Sequence, residues 1–383
     1  MPVSVLLTVG SALSAWWLTR WVLRHAPLDH PTTRSSHERP TPRGGGLAIV
    51  VTTLLGAGVA VSVGMLDPHL GLALGGGGSF VAAVAALPAT SLATVPQPGQ
   101  RPNRLVFDAM GELRIDYPPS LIREMLASGM DAITVTLCDP KPEGPEALAL
   151  ATDSLLEHDR FLASHPGLLV RATSVADLDR ARRLGKLAVF YLYQNTTQFG
   201  TVLDRVDWFH RMGLRSCQLT YNTKNDVGGG CWEVGGLSAF GRELIDRMNQ
   251  RRMLIDLSHA NMTTMAEAIH ASRAPVIISH SACMAVHENR RNTTDANLRL
   301  LASRGGVIGV CQMRPFLTPK KTDNLEAYFD HILHAINVAG VEHVAIGSDR
   351  DHRVIELTPE YLAELKREEG SHVQENELPH FIN

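Results

Sequence analysis

MLIDLSHANMTTMAEAIHASRAPVIISHSACMAVHENRRNTTDANLRLLASRGGVIGV, running from Met253 to Val310, decides the fold. It holds three short apolar runs, Met253 to Ser258, Pro275 to Ser279 and Gly306 to Cys311, with helical patterns between them such as Asn297 to Ser303. Short apolar runs alternating with helix point to parallel strands joined by crossover helices. The first two runs lead into His259 and His280, 21 residues apart, the length of one strand-helix unit.

Working outward, runs of the same kind occur at Leu105 to Asp108, Ala132 to Leu137, Leu168 to Ala172, Leu187 to Tyr193, Ser216 to Thr220 and His343 to Ser348. Leu237 to Arg251 reads as an amphipathic helix. Eight or nine such strands over about 250 residues predict an α/β protein, a closed (β/α)8 barrel of TIM type rather than an open sheet. In that architecture the C-terminal strand ends converge on one mouth. Asp108, Gln194, His259, His280 and Asp349 each stand at such an end and are expected to meet there. Neutral imidazoles on neighbouring strand ends bind one metal ion, with carboxylates from other strands completing its shell. The alternative is a hydrogen-bonded polar mouth without metal.

The chain has 383 residues and a formal net charge of −3, but the charge is unevenly spread. The first hundred residues hold eight charged side chains: Arg20, Arg24, Arg34, Arg39, Arg43, Asp29, Glu38 and Asp67. The remainder carries a net charge of −5. With no Lys/Arg run, nothing supplies the clustered positive charge that nucleic-acid binding needs. The five scattered cysteines, Cys138, Cys217, Cys231, Cys283 and Cys311, fit neither a disulfide framework nor a CxxC zinc site, and read as buried thiols.

The uncharged stretches predict a membrane-anchoring region over residues 1–95, with spans at 3–23, 44–66 and a weaker third at 70–95, a linker at 96–103 and the barrel at 104–383. The five arginines between the first two runs place that loop on the cytoplasmic side. Arg101, Arg104 and the unpaired cysteines then lean the barrel towards the cytoplasm. LDHPTTRSSHERPTPRGGGLAIV (Leu28 to Val50) resembles the first cytoplasmic loop of polyprenyl-phosphate N-acetylhexosamine-1-phosphate transferases. No Asp-Asp pair exists to carry that family's metal-diphosphate chemistry, so the segment is expected to be an anchor.

The DLSH, SHS and RRN blocks of the opening stretch resemble the membrane dipeptidase family, peptidase family M19. GLRSCQLTYNTKND (Gly213 to Asp226), GLSAFGRELIDRMN (Gly236 to Asn249) and HVAIGSDRD (His343 to Asp351) extend the likeness over roughly residues 104 to 383. The resemblance implies a zinc-dependent barrel of the amidohydrolase kind that cleaves dipeptides, a small-molecule substrate, and it is compatible with a homodimer. By position, His259 and His280 correspond to the histidines of one zinc, Asp349 to the proton-shuttling aspartate and Arg291 to the arginine that holds the substrate carboxylate.

The chain departs from the family pattern at one metal and its bridge. Where the family has His-x-Asp on the first strand, FDAMGEL places Met110 and Glu112. The bridging glutamate corresponds to Gln194, and the histidine that contacts the scissile carbonyl corresponds to Tyr221. A thioether suits such a zinc site poorly and a neutral amide bridges two dications badly. The expectation is therefore one zinc, on His259 and His280 with Gln194 or water, with Glu112 as a weak second-site ligand and Tyr221 as a hydrogen-bond donor to the developing oxyanion. The chain ends 32 residues after Asp351, where members of the family continue, so the barrel is expected to lack closing packing. The function expected is a dipeptidase-like metallohydrolase; a non-catalytic barrel that binds a small carboxylate is the alternative, and a sugar-phosphate transferase fragment a more distant one.

Overall fold

The computed structural model describes residues 28–29, 41–42, 105–320, 325–353 and 358–369. The chain divides into two compact units, Met1–Gln100 and Arg101–Asn383. In the first, Leu28–Asp29 pairs antiparallel with Thr41–Pro42. The expected spans at 3–23, 44–66 and 70–95 lie outside the described residues.

The expected membrane localisation is corrected. Among the described residues no helix is long and apolar enough to cross a membrane. The longest, Gly144–Ser164, reaches 21 residues, but Glu146, Asp153, Glu157, Asp159 and Arg160 charge it, and its buried residues are those of a helix laid against a core.

Among the described residues the second unit contains nine parallel strands: β1 Phe107–Gly111, β2 Ala132–Thr136, β3 Leu169–Arg171, β4 Leu187–Tyr193, β5 Ser216–Gln218, β6 Leu254–Asp256, β7 Ile277–Ser281, β8 Val307–Val310 and β9 Val344–Ile346. Eight close into a ring in the order β1-β2-β4-β5-β6-β7-β8-β9, with β9 returning to β1 through Ile346 and Asp108. This is the expected (β/α)8-type barrel. The ninth, β3, stands outside the ring. It pairs with the first half of β4 (Val170 opposite Ala188), while β5 takes the same edge of β4 further along (Tyr193 opposite Cys217). A satellite apolar cluster of Ala132, Ala172, Leu178, Ala181 and Ala188 packs β3 against the helix Val175–Arg183.

Crossover helices start where a short polar residue can satisfy free backbone N–H groups. Ser238 caps Ala239–Arg251, Asn261 caps Met262–Ala271 and Thr294 caps Asp295–Ser303, each accepting from an N–H in the first turn. The main core is aliphatic and aromatic, with Ile133, Tyr191, Phe209, Leu244, Ile278 and Val310 all fully buried.

On the side of the site the strand ends are polar inside. Asp108, Gln218, Asp256, Ser258 and Ser279 are all buried. Two glycines let the strands approach closely there. A Cβ at Gly309 or Gly347 would collide with the backbone carbonyl of Ser279, so neither position admits a side chain without moving β7. One expectation shifts in register: β1 continues to Gly111, so Asp108 lies within the strand and Glu112 follows its end.

Candidate active site

His259 follows β6 and His280 lies in β7, and both are buried. Their Nε2 atoms face each other at 3.0 Å. The His259 Nδ1 lies 2.6 Å from the side-chain oxygen of Asn222. An amide oxygen only accepts, so His259 carries its proton on Nδ1 and turns the Nε2 lone pair towards His280. The side-chain amide nitrogen of Gln194, at the end of β4, comes within 3.4 Å of His280 Nε2. Tyr221 stacks on His259 with ring centroids 4.2 Å apart. Burial holds both imidazoles well below their ordinary pKa, and the nearby charge of Arg291 adds to it, so both are neutral at pH 7.

His259 and Asp349 share an uncommon backbone. Their φ values are 64° and 55°, in the left-handed region that glycine favours and other residues enter at a cost of about 1–3 kcal/mol. Each follows a serine held by a buried aspartate two or more residues away in sequence. Ser258 donates its N–H (3.0 Å) and hydroxyl (2.8 Å) to Asp256. Ser348 donates its N–H (2.8 Å) and hydroxyl (2.5 Å) to Asp108. Such clamps fix the strand end against the strain of the next residue.

Asp349 is half-buried; burial and the charge of Glu112 push its carboxyl up to about 8, against the pull of Arg291. The Cys311 thiol lies 3.7 Å from its Oδ2, a weak contact. Arg291 is buried, donates from Nη2 to the His280 carbonyl at 3.2 Å, and stacks its guanidinium over Phe316 at 5.1 Å. Its Nε has no hydrogen-bond partner among the described residues.

The structure thus brings Gln194, Tyr221, His259, His280 and Arg291 together, with Asp349 within electrostatic reach of Arg291. Glu112 stands at the rim. It pairs with Arg114 at 3.4 Å, and burial together with the Asp351 charge raises its pKa while Arg114 opposes them. Met110 is fully buried. Two zinc–nitrogen bonds of about 2.0–2.1 Å at a tetrahedral angle separate the nitrogens by roughly 3.3 Å, close to the observed imidazole pair. The two imidazoles therefore fit one divalent cation, whereas Gln194 turns its amide nitrogen towards them and would have to rotate its amide to offer the oxygen. Among the described residues no group of three or more His, Cys, Asp or Glu is placed to hold a metal, so a cation here would rest on two histidines and neutral donors, and at Met110 a second would meet a thioether, the wrong donor.

Sequence reasoning does not find Asn222, Asp256 or Ser279. Asn222 follows Tyr221 directly, and Ser279 precedes His280, so adjacency to a site residue is the one signal the chain offers for them.

The comparisons agree with this fold. A model of the membrane dipeptidase family, peptidase family M19, matches residues 115–367. An uncharacterized dipeptidase of Schizosaccharomyces pombe is 37% identical over 179 residues, 44% of this chain and 43% of that protein. A dipeptidase of Clonostachys rogersoniana is 34% identical over 190 residues, 48% of each. The matched stretch thus spans about half the length of these curated relatives. Among solved structures, an amidohydrolase from Pseudomonas aeruginosa superposes with a TM-score of 0.61 at 28% identity, covering 66% of this chain and 76% of its own. A metallo peptidase from Rhodobacter sphaeroides shares the fold, with a TM-score of 0.60 at 20% identity over 66% of this chain and 88% of its own. With the family's model covering well over half of its length, the chain belongs to the membrane dipeptidase family, peptidase family M19.

Proposed function

We propose that the chain hydrolyses the amide bond of dipeptides or related small amides that carry a free carboxylate, using one divalent metal on His259, His280 and Gln194. The observation that carries this reading is Arg291, a buried guanidinium with an unpartnered Nε beside two neutral imidazoles. A buried guanidinium that makes no ion pair among the described residues is costly, and a substrate carboxylate offers the matching bidentate acceptor. Dipeptidase relatives at 34–37% identity support the substrate class.

Within this reading, a metal would supply Lewis acidity and a water of lowered pKa near neutral pH. Arg291 anchors the carboxylate and fixes which carbonyl faces the histidines. Tyr221, stacked on His259, donates a hydrogen bond to the oxygen that gains charge. Asp349, with its carboxyl near 8, holds or releases a proton close to neutrality and passes it to the leaving amine. Asn222 keeps the His259 lone pair pointed into the site.

The test is amino-acid release from a panel of dipeptides by the purified chain with zinc, repeated with His259→Ala. Turnover that this variant abolishes supports the reading. Carboxylate-dependent binding without turnover, seen by calorimetry, would instead establish the non-catalytic barrel.

A further inference from the structure

Asp256 is a fully buried carboxylate at the end of β6 that touches neither imidazole directly. Four donors converge on it. The N–H and hydroxyl of Ser258 and the N–H of Ser279 bind Oδ1, at 3.0, 2.8 and 3.0 Å, and the hydroxyl of Ser279 binds Oδ2 at 2.5 Å. The same Ser279 oxygen lies 2.8 Å from His280 Nδ1 and 3.2 Å from the Ser258 hydroxyl. The Ser258 oxygen in turn accepts the His280 backbone N–H at 3.0 Å.

Counting protons decides the direction of this chain. A hydroxyl has one proton to give, and both serine hydroxyls make their shortest contact with Asp256; burial raises that carboxyl's pKa, but the four donors converging on it oppose this and hold it as the ion, which only accepts. With its proton committed, the Ser279 oxygen presents a lone pair to His280 Nδ1. The imidazole must then be the donor there, which leaves His280 Nε2 without a proton and facing the equally bare Nε2 of His259.

We propose that Asp256 is a positioning residue: acting through the Ser279 hydroxyl, it locks His280 in the Nδ1-protonated tautomer and so supplies the second of two opposed lone pairs at the site. This assignment rests on reading His259 and His280 as the metal-binding pair. It concerns the ring in the metal-free chain, so it survives or fails separately from hydrolysis. The two rings are held by different devices. His259 leans on the Asn222 amide and His280 on a carboxylate relayed by a hydroxyl, so each is a control for the other. A protonated Asp256 would reverse the chain, turning Ser279 into a donor and His280 into the Nε2-protonated form.

The experiment is long-range 1H–15N correlation on the full chain labelled at histidine nitrogen, metal-free, at pH 8. His280 should show a protonated Nδ1 and a bare Nε2 in the unaltered protein, a result that needs no variant. Ser279→Ala should move His280 towards the Nε2-protonated form while His259 keeps its pattern, and Ser279→Thr, which restores the hydroxyl, should return it. Zinc affinity, read by competition with a chromophoric chelator, should fall about 10- to 100-fold in Ser279→Ala and recover in Ser279→Thr. An Nε2-protonated His280 in the unaltered chain, or an unchanged His280 in Ser279→Ala, would overturn the assignment. Absence of dipeptide turnover with the predicted tautomers intact would count against the hydrolase reading alone.

Discussion

Replacing Asp349 with asparagine removes a carboxyl that the fold prefers protonated, and the size of the effect follows from its surroundings. Its ordinary value of 3.8 is raised to about 8, chiefly by burial. At about 1.4 kcal/mol per pH unit, complete removal from water would disfavour the ionised form by roughly 6 kcal/mol. Asp349 is only half-buried, so water and nearby charges screen it, and about 2–3 kcal/mol is the realistic penalty. The sign follows from proton counts. Between pH 4 and 8 the folded chain holds a proton that the unfolded chain has released, so this group lowers stability as pH rises through that window. An amide in its place does not titrate. Urea unfolding of the metal-free chain and of Asp349→Asn at pH 5 and pH 8 reads the effect, because altered hydrogen bonds are the same at both pH values and Asp108, whose carboxyl burial lifts to about 6, titrates in both proteins and is only weakly coupled to Asp349. The variant should gain about 1–2 kcal/mol on the unaltered chain between pH 5 and pH 8, while losing turnover. A stability gap that stays constant with pH, or shifts the other way, would refute the electrostatic reasoning.

Further outcomes are expected elsewhere in the molecule. Gly309→Ala drives a methyl into the Ser279 carbonyl and the Gly347 Cα; it should cost about 3 kcal/mol or more in chemical denaturation, as forced overpacking does, and unchanged stability would show that β7 and β8 have room to part. Arg291→Met should lower kcat/KM for dipeptides about 100-fold or more, in keeping with about 2–5 kcal/mol for a buried charge contact. The same change should affect a C-terminally amidated dipeptide less than about tenfold, and equal losses on both would remove Arg291 from carboxylate recognition. The double variant Met110→His, Glu112→Asp should raise zinc binding above that of the unaltered chain in equilibrium dialysis, and no gain would mean that something besides these two donors prevents a second metal.

Much of the barrel is readable from the chain because each strand is a short apolar run bounded by polar residues. Ala132 to Leu137 and Leu187 to Tyr193 lie within a residue of the observed β2 and β4. What such runs do not carry is neighbour choice. Nothing in Leu168 to Ala172 indicates that β3 stays outside the ring, a result of Leu178 and Ala181 packing behind it. The apolar pattern also ends β1 too early, because Asp108 interrupts it; that carboxylate is instead buried by pairing with Ser348, 240 residues away in sequence. The same limit governs the site. His259, His280 and Asp349 are legible as polar residues that close apolar strands. The positive φ of His259 and Asp349 is not, because a left-handed turn is announced in sequence by glycine, and both positions carry side chains. Asp256 and Ser279 escape notice because their contribution depends on which atom holds a proton, and no spacing encodes that.

Metal analysis of the purified chain dialysed against saturating zinc tests most directly whether the mouth holds one metal on its two strand-end histidines. One equivalent per chain, lost in both His259→Ala and His280→Ala, is the predicted result. Two equivalents, or one that survives loss of either histidine, would contradict it.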